Sequence, residues 1–151
     1  LDSHMYTLGV RQDLLDLYQE LGKEYNLPIL LSKTLIAYTG ESPSQFVLPN
    51  EKCFESLFMA SIEEFENGGN GTFYDQTLTH LPDGLSIVLI HPAEKSEEMD
   101  QITLDHPNFG AEWRTQDATY FSSEACKQKL KENNIELVDF RSPIVLSLLG
   151  A

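Results

Sequence analysis

The sequence predicts an α/β fold in which parallel strands alternate with helices. Three observations carry that reading. Residues 85–91, LSIVLIH, form an apolar run of strand length, as expected of a strand covered on both faces. A segment with helical periodicity over residues 10–26 leads into a second apolar run, PILLS, at 28–32. A further helix-like stretch, SSEACKQKLKENN, leads into IELVDF at 135–140. Each helix followed by a strand is the αβ half of a βαβ unit.

In chain order, LDSH at residues 1–4 has the form of a strand stub: an apolar residue followed by polar ones. The next segment, VRQDLLDLYQELGKEYN, places Val10, Leu14, Leu17, Tyr18 and Leu21 at helical spacing, with charges on the other face. Asn26 and Pro28 should end that helix. Residues 38–51 are rich in Gly, Pro and Ser and read as a loop. FESLFMASIEEFEN, residues 54–67, reads as one helix with Phe54, Leu57, Phe58, Ser61, Ile62 and Phe65 on one side. GGNG at 68–71 stops it; no GK[ST] follows, so the run reads as a turn and not as a phosphate cradle.

TFYDQTLTHL predicts a further short helix, closed by Pro82, Asp83 and Gly84. The acidic run AEKSEEMD, residues 93–100, reads as a solvated loop, without the spacing of an EF-hand. A helix is expected over 109–121, and Ser122 is a candidate N-cap for the one after it. The apolar tail SPIVLSLLGA should pack as a final segment.

The 151 residues suit one domain, and 41% of them are hydrophobic, which argues for a packed core. The net charge of −14 would repel nucleic acid and an anionic membrane surface, whereas a neutral substrate such as a sugar is compatible with it. No apolar run approaches the ~18 residues of a membrane span. The two cysteines, Cys53 and Cys126, lie far apart without CxxC spacing and read as free thiols of a reducing compartment. No signal-peptide pattern opens the chain, so a cytoplasmic location is expected. The first residue is Leu1 and not Met, which leaves room for an upstream segment.

Parallel α/β folds place their sites at the carboxyl ends of strands. Two of the four histidines, His4 and His91, fall at such positions. Asp2 and His4 have i, i+2 spacing, which puts both side chains on one side of an extended strand, an arrangement that suits a divalent metal. The plainer reading is that an isolated D-x-H is common. Pro92 turns the chain sharply after His91, making its imidazole either a candidate acid or base or a structural strand cap. Arg114 is a candidate substrate contact, although Arg114 and Asp117, three residues apart on a helix, could equally form a surface ion pair. Trp113 could stack on a sugar face, but a lone Trp is more often core.

Several segments together resemble the YdjC-like carbohydrate deacetylases of the chito-oligosaccharide type. They are LDSH at 1–4, KEYNLPI at 23–29, DGLSIVLIHPA at 83–93, the R-x-x-D of Arg114 and Asp117, and SSEACKQKLKENNIEL after it. The matches run in order and cover most of the chain except residues 33–72. The resemblance implies part of a (β/α) barrel related to polysaccharide deacetylases. It implies metal-dependent hydrolysis of an N-acetyl group from an amino sugar or oligosaccharide, with magnesium or zinc as the metal. His4 would be a metal ligand, Asp2 a ligand or its support, and His91 the catalytic acid.

Two departures from the family's pattern follow. After DSH the family often continues with further histidines, where this chain has Met5, Tyr6, Thr7 and Leu8. The family's ADDFG strand and its following histidine have no counterpart. The resemblance therefore implies the C-terminal half of a larger barrel, with an incomplete ligand set, inactive alone, and with open sheet edges through which copies could associate. The rival reading is a non-catalytic acidic interaction domain on the same fold.

Overall fold

The computed structural model describes residues 1–34, 54–106 and 108–149. They sort into two compact units, Leu1–Leu57 with Pro82–Ile87 and Val138–Ala151, and Phe58–Leu81 with Val88–Leu137. The architecture is mixed α/β with a small parallel sheet, as the sequence predicts. The loop expected over residues 38–51, and Cys53, lie outside the described residues.

In the first unit, Leu1 accepts from Leu30 N–H at 3.0 Å and its amino group donates to Pro28 C=O, which is the bonding of a parallel strand pair reduced to one residue. Ser3 is extended, and from His4 to Gly9 the chain winds into 3₁₀ turns, interrupted by positive φ at Met5 and Tyr6. Helix α1 (Gln12–Glu24) follows. Asn26 takes a positive φ of 49° and Leu27 N–H returns to Gly22 C=O at 2.9 Å, so an Asn closes the helix in the left-handed conformation.

The buried face of α1 is Leu15, Tyr18 and Gly22, with Leu15, Tyr18 and Leu31 as its core and Leu8 and Ile29 against it. That differs from the predicted stripe: Val10 and Leu17 are exposed. Gly22 explains the rotation. A Cβ there would sit 2.7 Å from Ile29 Cγ2, so the absence of a side chain lets the following segment close onto this face.

The expected strand at 28–32 is reduced to a single parallel bridge between Ser32 and Phe54. The next strand is β1 (Ser56–Phe58), inside the stretch predicted to be helical. Its apolar residues satisfy a helical period, but Phe54 N–H bonds Leu31 C=O and Glu55 N–H bonds Leu85 C=O, so tertiary pairing overrides the local pattern. The helix starts only at α2 (Ile62–Glu66), where Ser61 and Glu64 form a reciprocal capping box.

β1 pairs in parallel with β2 (Ser86–Val88), the centre of LSIVLIH. The pairing continues as Leu89 N–H donates to Phe58 C=O at 2.8 Å. β2 is half-buried along its length and not covered on both faces as predicted. The described strands form no closed barrel.

The second unit is mostly helical. Helix α3 (Asn70–Thr79) starts directly after Gly69, which has φ of 80°. Its first N–H, on Asn70, donates to Gln116 Oε1 at 2.9 Å, so a residue from a distant helix serves as its cap. α4 (Glu97–Ile102) lies where an acidic loop was expected, and Ser96 caps it by accepting from Met99 N–H at 3.1 Å. α5 (Ala111–Ser122) matches the prediction. The cap of α6 (Glu124–Glu132) is Ser123, one residue later than predicted, with Oγ accepting from Cys126 N–H at 3.0 Å. Trp113 belongs to the core, 2% exposed and stacked on Phe65 at 5.2 Å.

The strand expected at 135–140 is not formed. No ladder partner pairs with it among the described residues, Leu137 and Phe140 are exposed, and Asp139 turns the chain by accepting from Arg141 and Ser142 N–H groups. The apolar tail forms α7 (Pro143–Leu149), with Val145 buried.

Tyr18 joins three parts of the first unit. Its hydroxyl donates to Leu1 C=O at 2.6 Å and accepts from Leu30 N–H at 3.0 Å. Tyr18→Phe should cost about 1–2 kcal/mol through the loss of a buried hydrogen bond. The check is a lowered urea midpoint with an unchanged denaturant slope; an unaltered midpoint would show that the hydroxyl is dispensable.

Candidate functional site

The second unit contains a fully buried carboxylate. Asp117 lies on the inward face of α5 and is 0% exposed. Its Oδ1 accepts from Tyr74 OH at 2.6 Å and from Asn70 Nδ2 at 2.8 Å, both on α3. Its Oδ2 accepts from the backbone N–H of His91 at 2.8 Å. Three donors converge on one group, and both oxygens act as acceptors, which is what the ionised carboxylate requires when buried. The surface ion pair envisaged between Arg114 and Asp117 is therefore not what forms: Asp117 points inward.

His91 follows β2 by three residues, near the carboxyl end of the parallel pair as predicted. Its main chain is held by Asp117. Its ring lies 4.3 Å from that of Phe109, and Nδ1 is buried without a hydrogen-bond partner among the described residues. Burial, then the positive charge of Arg114, push its pKa below the usual value of 6.5, while Asp117 opposes them. Burial and the bond to Asp117 push the Tyr74 phenol well above its ordinary value, which keeps it a donor.

Phe109 connects this histidine to the rest of the site. It sits at φ of 59°, unusual for a bulky residue, and its carbonyl accepts from Arg114 Nε at 2.7 Å. Its ring packs on Trp113 at 4.8 Å, forming a continuous path from the core to His91. On the other side Phe109 lines a hollow of about 430 Å³ together with Met99, Ile102, Thr103, His106, Asn108 and Arg114. That volume falls within the ~300–1,000 Å³ of small-molecule sites, and an apolar wall with a few polar groups is their usual composition.

The other predicted site residues lie in the first unit. Asp2 and His4 are both exposed, and the His4 carbonyl accepts from Thr7 Oγ1 at 2.7 Å. Among the described residues, no group of three or more His, Cys, Asp or Glu side chains could hold a metal ion. Cys126 is a buried free thiol, raised above its ordinary pKa mainly by burial. No helix among the described residues is long and apolar enough to cross a membrane.

The family model described as YdjC-like protein matches residues 1–132. The chain belongs to the YdjC-like family. That match spans LDSH, KEYNLPI, DGLSIVLIHPA and the R-x-x-D, and ends within SSEACKQKLKENNIEL. Among solved structures, a protein of Enterococcus faecalis V583, titled as a proposed cellobiose-phosphate cleavage protein, is similar with a TM-score of 0.57 and 18% identity. The match covers 92% of this chain and 50% of that one, so this YdjC-like chain spans about half the length of its solved relative. At that identity the likeness shows a shared fold. No curated protein matches the sequence.

Asp117 was overlooked as a site residue because spacing alone does not show which face of a helix turns inward. Two signals bore on it: the R-x-x-D of the family resemblance, and Trp113 four positions earlier on the same helical face.

The lowered pKa of His91 has a measurable consequence. A group that resists protonation in the folded state contributes stability that is present above its unfolded pKa of about 6.5 and is lost as pH falls through the lower folded value. Unfolding midpoints should therefore drop from pH 7.5 to pH 5. In His91→Gln the drop should be smaller; an equal drop in both proteins would place the acid sensitivity elsewhere.

Proposed function

We propose that the protein is a hydrolase that removes the N-acetyl group from an amino sugar or an oligosaccharide containing one. Family membership supports the carbohydrate theme. The observation that carries the chemistry is His91, with its main chain anchored, its ring packed on Phe109, which itself lines a hollow of ligand size, and its Nδ1 unpartnered among the described residues. Water adds to the acetyl carbonyl and loses a proton to a base supplied by the complete protein or to solvent, and the tetrahedral intermediate then breaks its C–N bond. His91 gives a proton to the departing nitrogen, because an amine anion is a poor leaving group. Acetate and the free amine are the products. Arg114, lining the hollow, contacts the substrate, and the apolar wall with Phe109 receives a sugar face.

A divalent metal, magnesium or zinc, belongs to the proposal as a requirement of the activity, with His4 and Asp2 as donors. These two exposed side chains are fewer than the three or four protein ligands a zinc site needs, so they do not by themselves fit the ion.

The net charge of −14 favours a second reading, a non-catalytic domain that binds a basic partner. The two are separated by assaying acetate release from N-acetylglucosamine oligomers with the complete natural protein. The enzyme reading expects release that a chelator abolishes. His91→Gln should lower kcat by about 100-fold or more, with little effect on KM, as for loss of a positioned acid. Because His91 holds its proton only below its depressed pKa, kcat/KM should decline with rising pH along a limb centred below 6.5. No acetate under any metal condition would leave the binding reading standing.

A further inference from the structure

We infer that Asp117 is a positioning residue for His91: its buried carboxylate fixes the histidine's main chain through Oδ2 while Tyr74 and Asn70 brace Oδ1. The inference rests on the reading of His91 as the proton donor.

The argument starts from cost. A carboxylate with no exposed surface is expensive to bury and is tolerated only where several donors face it. Here the donors come from three separate pieces of chain: α3 supplies Tyr74 and Asn70, the segment after β2 supplies His91, and α5 carries the acid itself. A merely structural clasp between α3 and α5 would need only the first two. The third bond goes to a residue whose ring packs on Phe109, which lines the hollow.

That residue also needs such a hold. Pro92 follows it, and Pro has no N–H to anchor the turn. Beyond Pro92, Ala93 N–H bonds the Arg114 carbonyl at 3.2 Å, so α5 holds the chain on both sides of the proline. The ring then has one seat, against Phe109 at 4.3 Å, whose own unusual backbone is held by Arg114. The charged groups that act on His91 are Asp117 and Arg114, with opposite effects. Asp117 therefore sets both where the ring lies and how readily it takes a proton.

The test is a double-mutant cycle in the complete natural protein, comparing wild type, Asp117→Asn, His91→Gln and the double variant. The expected result is a fall in kcat of about 10- to 100-fold for Asp117→Asn with KM within about twofold, and no further loss when the change is added to His91→Gln. The alkaline limb of the pH profile should also move to lower pH in Asp117→Asn, because the negative charge that favours the imidazolium is gone. Equal losses from Asp117→Asn in both backgrounds would overturn the positioning role while leaving His91 as the acid. An unchanged kcat in His91→Gln would overturn the reading of His91 and this inference with it.

Should Asp117→Asn not fold, the wild-type protein supplies the test by NMR. The His91 amide proton should be strongly protected from exchange, as expected of a donor to a buried carboxylate. A His91 amide that exchanges as freely as the exposed loop amides would overturn the inference.

Discussion

The second unit is organised around a single negative charge without access to water. Asp117 lies at the meeting point of α3, α5 and the chain leaving β2, and each of these elements presents a donor to it. Ring contacts of Tyr74 with Tyr120 and Phe121, and of His91 with Phe109, hold the same pieces together but tolerate sliding. The carboxylate does not, because any shift leaves a buried charge short of a partner. Nonpolar burial provides the bulk of the cohesion, and the carboxylate sets the register.

The first unit solves the same problem with a neutral group. The Tyr18 hydroxyl lies between Leu1 and Leu30 and satisfies backbone groups at a point where a strand pair is only one residue long. A short ladder leaves neighbouring N–H and C=O groups without regular partners, and a side chain that both donates and accepts can take them up. In each unit a polar atom within a mostly apolar setting decides which segments meet. That is the pattern expected where regular sheet is scarce.

Much of the helical structure could be read from the sequence, and much of the sheet could not. α1 follows from periodicity and α6 from a serine near its start, which are local properties, and α3 and α5 were expected as helices although the cap of α3 comes from distant Gln116. β1 was hidden because Phe54, Leu57 and Phe58 satisfy a helical period as well as a strand; only pairing with residues some thirty positions away decides between them. The expected strand at 135–140 fails for the complementary reason, since an apolar sequence is not a strand without a neighbour. Of the site, His91 was legible from its place at the end of the apolar run before Pro92. Asp117 was not, because its role depends on Tyr74 and Asn70, more than forty residues earlier.

The cap that Gln116 provides for α3 ties together two positions that no local rule connects. The Gln116 amide reaches the helix start only because Gly69 has no side chain; a Cβ there would stand 2.8 Å from Oε1. Replacing Gly69 would force a positive-φ residue and expel the amide at once, whereas shortening Gln116 would leave the Asn70 N–H bare without lifting the demand for glycine, because φ of 80° remains. Glycine at 69 is therefore demanded twice, by its own backbone angle and by the approach of the Gln116 amide, so evolutionary drift at this corner should leave position 69 fixed and fall on position 116.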